Sequence, residues 1–153
     1  MAVRLGERQT ALYAAEARAL HGLGRRWRRV ADIQRYVDAL ITGDWFADRW
    51  PQLVRCTVER RARGARWSTF QALDHDGPEG TPTEGVLLLA PPGFDQPTVL
   101  HEVAHLVLPP DTGHAPPFAQ ALLGLVRHEM GFFAYADLRT ELRSTGAYPG
   151  IDS

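Results

Sequence analysis

The sequence predicts an α+β fold, helices packed on a small and mostly antiparallel sheet, and three observations predict it. Segments with helical periodicity occupy both ends of the 153-residue chain, and strand-like runs fill residues 53–90. Between the last of those runs and the C-terminal helices lies an apolar helical stretch, residues 99–108, that carries His101-Glu102-Val103-Ala104-His105.

The first helix is expected over residues 7–20, where strong helix formers dominate, with Gly22 and Gly24 ending it. The second is expected over 30–41, because Ile33, Tyr36, Val37, Leu40 and Ile41 fall on one face, and Gly43 closes it. Trp45 to Pro51 reads as an aromatic turn whose rings pack in the core. Residues 53–60 and 66–73 read as two strands of an antiparallel hairpin, joined by an Arg- and Gly-containing link. A polar loop over 74–82 leads to a third strand, 84–90, stopped by Pro91-Pro92-Gly93. That strand is a candidate edge for an added peptide strand, although its continuously apolar Val86-Leu87-Leu88-Leu89 equally suits interior sheet. Asp95 is placed to cap the next helix, with Pro97 in its first turn, and Pro109-Pro110 must stop that helix near Leu108. Helices over about 116–128 and 134–143 complete the chain.

Length indicates one domain, residues 1–153. A hydrophobic content of 44% and a charged content of 23% are those of soluble globular proteins. No stretch approaches a membrane span and the N-terminus lacks the apolar core of a secretory signal, so a cytoplasmic location is expected. The single cysteine, Cys56, excludes an internal disulfide and a Cys-rich zinc ribbon, so any metal must be held mainly by His and carboxylates.

Two histidines four residues apart lie one turn apart on the same helix face, so His101 and His105 can reach one metal ion. With 6 His in 153 residues, chance produces H-E-x-x-H in roughly one chain in a hundred. The setting adds weight, since burying two His and a Glu in an apolar helix without partners costs on the order of several kcal/mol. A catalytic zinc takes three protein ligands and keeps one position open. His114 is the best third candidate, because the double proline and Asp111-Thr112-Gly113 can turn the chain back toward the helix; Asp111 and Glu129 are the rivals, and His128 is less attractive. Glu102 is expected to be the general base of a hydrolysis, most naturally of a peptide bond. Tyr148, Tyr135 and His75 are candidate donors to the oxyanion.

His101-Glu102-Val103-Ala104-His105, followed by Gly113-His114-Ala115-Pro116-Pro117-Phe118, resembles the SprT-like zinc metalloproteases. It resembles still more closely a family of small actinobacterial metallohydrolases, which share an N-terminal helix like Gln9-Thr10-Ala11-Leu12-Tyr13-Ala14-Ala15-Glu16. The resemblance implies a minimal zincin-like domain, with zinc on His101, His105 and His114, and Glu102 as base. Ala115 stands in place of the usual Gly, and Pro117 where the small metallohydrolases often carry Glu. Against H-E-x-x-H-x-x-G-x-x-H the chain has Leu108 for the Gly and Asp111 for the third His, which keeps Asp111 in contention. The lack of a cysteine-rich ribbon separates this chain from the DNA-linked proteolysis of longer relatives.

The expected partner is therefore a peptide or protein substrate, and the alternative reading is a metal-stabilised binding or regulatory protein without turnover. Nucleic-acid binding through Arg25-Arg26-Trp27-Arg28-Arg29, or through Arg55, Arg60, Arg61, Arg63 and Arg66, is disfavoured by the formal charge of -1.

Overall fold

The computed structural model describes residues 5–62, 64–91 and 94–152, and the side chain of every one of them except Leu5. Residues 1–4, Arg63 and the Pro92-Gly93 strand stop therefore lie outside the described residues. Six α-helices and one three-stranded mixed sheet form in the order α1 (Leu5–Leu20), α2 (Val30–Thr42), α3 (Asp44–Arg49), β1 (Arg55–Arg60), β2 (Thr69–Leu73), β3 (Glu84–Leu89), α4 (Gln96–Leu106), α5 (Pro116–Met130) and α6 (Phe132–Ser144). The α+β class is that expected from the sequence. None of these helices is long and apolar enough to cross a membrane.

Arg25–Asp111 form one compact unit that contains the sheet with α2, α3 and α4. Its strand order is β1-β3-β2, with β3 parallel to β1 and antiparallel to β2. This corrects two expectations: β1 and β2 do not form a hairpin, and the sheet is mixed rather than mostly antiparallel. The central position between β1 and β2 is filled by β3, the last strand in sequence. It also corrects the edge reading of β3, whose two edges are both paired; its apolar run is that of an interior strand.

Helix α2 buries Ile33, Tyr36, Val37, Leu40 and Ile41, the face read from the sequence. Gly43 ends it, donating its N–H to Ala39 and Leu40, and begins α3 by accepting from Ala47. Residues 44–49 are therefore helical where a turn was expected, and Pro51-Gln52 is the turn that follows, closed by the Leu53 N–H on the Trp50 carbonyl. Gln34 reaches from α2 to the outer edge of β1, where its amide donates to the Cys56 carbonyl at 2.8 Å and accepts from the Val58 N–H at 2.7 Å. Helix α4 lies against β2 and β3. Its closest seat is Gly85, where a Cβ would stand 2.5 Å from Leu106 Cδ1.

The described residues of Met1–Gly24 and Thr112–Ser153 make up the second unit, built of α1, α5 and α6. Leu12, Ala15, Leu122, Leu138 and Leu142 are fully buried or nearly so, and Arg18 pairs with Glu141 at 2.7 Å. Helix α6 begins two residues before the expected start, directly after Gly131, whose φ of 96° breaks the helical path from α5.

Candidate metal centre

Helix α4 carries His101, Glu102 and His105, and its first turn is built as the sequence predicts. Asp95 accepts the Thr98 N–H at 2.9 Å and Pro97 occupies the first turn, where no amide donor is needed. The helix stops at Leu106, two residues ahead of the expected end and before the prolines. His101 and Glu102 are 4% and 6% exposed, while His105 is half-buried. The two imidazoles lie edge to face with ring centres 5.1 Å apart, as one helical turn requires. Phe70 of β2 stacks on the His105 ring, centres 4.5 Å apart and planes within 14°.

His114 follows α4 by a short turned segment. Gly113 takes a φ of 56°, a left-handed conformation that glycine adopts without strain, and Ala115 donates to the Thr112 carbonyl at 3.2 Å. The His114 ring meets Phe118 and Tyr13 edge to face at 5.0 and 5.6 Å, and the Tyr148 hydroxyl donates to the His114 carbonyl. These contacts fix both the backbone and the ring of this residue.

His101, His105 and His114 form a group that could hold a metal ion, each offering a ring nitrogen, with these atoms within 4.8 Å of one another. It is the sole such group of three or more His, Cys, Asp or Glu donors among the described residues. The rival ligands are placed otherwise. Asp111 is exposed, and Glu129 sits at the end of α5 with its carboxylate 2.8 Å from His128 Nδ1. Three imidazoles are the donor set that zinc and the neighbouring divalent transition metals prefer to calcium or magnesium.

The oxyanion candidates are engaged locally. Tyr148 donates a hydrogen bond to the His114 carbonyl, and burial, with Arg8 opposing and Glu16 adding, raises its phenol to about 12. Tyr135 is buried beneath Arg127 and Arg139, and His75 lies in an exposed loop near the Gly80 carbonyl. Phe70 and Tyr13 are site neighbours that the sequence reading missed, since no local signal announces a ring brought in from a strand or a distant helix.

Several of the arginines considered for nucleic acid are likewise occupied. Arg25 lies over Trp27 and Tyr36, Arg60 over Phe94, Arg61 donates to the Trp67 carbonyl, and Arg55 stands 3.9 Å from Glu84. Comparison with protein-family models, curated proteins and solved structures finds no match to this chain.

Proposed function

We propose that the chain is a cytoplasmic zinc-dependent hydrolase, a metallopeptidase of the SprT-like, minimal zincin type, with Glu102 as its general base. The observation that carries this reading is the group of His101, His105 and His114, with ring nitrogens within 4.8 Å of one another. Three neutral imidazoles suit zinc and leave a fourth position for water or substrate. The bound ion would supply a Lewis acid that acidifies a water molecule and polarises a carbonyl. Glu102, buried and adjacent in sequence to the first of the histidines, lies outside the ligand group and is assigned the proton transfer. In this role it accepts the proton of the attacking water and passes it to the leaving amine.

The sheet favours an extended peptide as the substrate. Among the described residues β2 pairs along one side only, whereas the outer edge of β1 is occupied by Gln34. Since Phe70 of β2 touches His105, a peptide strand added to the open side of β2 lies beside the strand that borders the histidines.

Purified protein is expected to hold about one equivalent of zinc, and Glu102→Gln to keep it. Hydrolysis of a peptide library by that variant should fall by a factor on the order of 10² to 10⁴. Undiminished hydrolysis would overturn the assigned base. A parent protein that binds zinc and gains stability from it, yet cleaves nothing, would favour the metal-stabilised binding protein instead.

A further inference from the structure

We infer that Phe70 is a positioning residue for the metal centre: its ring holds the His105 imidazole in the orientation that presents a nitrogen to the ion. This rests on the reading of His101, His105 and His114 as ligands. The imidazole torsion about Cβ–Cγ is broad and shallow, so a half-buried histidine does not fix its own ring. With the two planes within 14° and the centres 4.5 Å apart, rotation of the His105 ring drives its edge into the face of Phe70.

The backbone delivers this contact. Phe70 is paired with Leu87 and Ala72 with Gly85, so all four side-chain positions lie on one face of the sheet. Leu106 rests on Gly85, which brings the preceding residue, His105, over the neighbouring strand at Phe70. Packing alone needs apolar volume at this position, which leucine would provide. The stack needs a flat ring, and that difference separates positioning from filling.

The test compares Phe70→Leu and Phe70→Tyr with the parent in three measurements: melting without metal, zinc affinity by competition with a chromophoric chelator, and the visible spectrum of the cobalt-loaded protein. Phe70→Leu should melt within about 4 °C of the parent. Its zinc affinity should fall about 10-fold, the lower end of what loss of a ligand-orienting partner costs. Its cobalt spectrum should change, and Phe70→Tyr should restore both. Parent-like zinc affinity and spectrum in Phe70→Leu would overturn the role, as would a Phe70→Tyr variant no better than Phe70→Leu. Should Phe70→Leu melt far lower, proton resonances decide: in the metal-free parent the His105 ring protons must be shifted upfield by the Phe70 ring current, and their absence from that region overturns the stack. A parent that shows the upfield shift but takes up no zinc overturns the metal centre, and leaves Phe70 with packing alone.

Discussion

At the scale of single residues, two buried acids give this protein an alkaline weakness. Cys56 on β1 is 1% exposed, and burial first, then the nearby Asp38 carboxylate, push its thiol from 9.0 up to about 12. The Tyr148 phenol is raised from 10.0 to about 12, again chiefly by burial. Between the two values the unfolded chain has lost a proton that the folded chain keeps, so raising the pH favours unfolding; below pH 9 that contribution is fully present. Urea unfolding is therefore expected to show stability falling from about pH 9 upward, and Cys56→Ala to flatten the early part of that fall. An identical pH profile in the variant would show that the thiol is not the source. The grouping of His101, His105 and His114 was legible in the sequence because ligand spacing and proline-forced turns are local properties of the chain. The contacts of Phe70 with His105 and of Tyr148 with the His114 carbonyl were not. Each depends on which residue a strand or C-terminal turn sets beside a histidine 35 or 34 positions away along the chain.

At the scale of elements, the helices followed their periodicity closely while the strand pairing did not follow adjacency. Periodicity reports which face of a helix is apolar, whereas pairing depends on contacts remote in sequence. The apolar run of β3 hinted at its central place, since both of its edges are paired, yet its burial still alternates, with Gly85, Leu87 and Leu89 buried and Glu84, Val86 and Leu88 half-buried. Helix α3 was missed because a six-residue helix has too few turns to show a period, and aromatic residues beside a proline read equally as a turn. Gly85 governs how α4 sits on the sheet. A methyl there would stand 2.5 and 2.6 Å from the two Leu106 methyls, both inside a core where Leu106 is fully buried. Gly85→Ala is expected to destabilise by about 1–3 kcal/mol, the usual range for overpacking. In a Leu106→Ala background the same change should cost distinctly less, because the obstructing side chain is gone. Additive effects in that double-mutant cycle, read by urea unfolding, would mean the helix does not rest on Gly85. Gln34 offers a second check. Gln34→Ala strips partners from the Cys56 carbonyl and the Val58 amide and should cost about 1–3 kcal/mol, whereas a loss below a few tenths would show that water replaces it freely.

At the scale of the whole molecule, the near-zero net charge gives no general attraction for polyanions, so the extrinsic stabiliser to test first is a metal ion at the histidine group. A ligand that binds only the folded chain stabilises it by RT ln(1 + [L]/Kd), about 2.7 kcal/mol at a hundredfold excess over Kd. For a chain of this size that corresponds to a rise in melting temperature of about 5–10 °C. Zinc should produce this rise and a chelator should reverse it. Because Glu102 lies outside the ligand group, Glu102→Gln should keep the full rise while hydrolysis is lost; His114→Ala, which removes one of three ligands, should lose most of both. The two variants thus separate holding the metal from using it. If His114→Ala melts with the parent's zinc dependence, the third ligand has been misassigned and Asp111 or Glu129 returns to contention. If zinc leaves the parent's melting untouched at any concentration, the histidine group is not a metal centre, and the hydrolase reading falls with it.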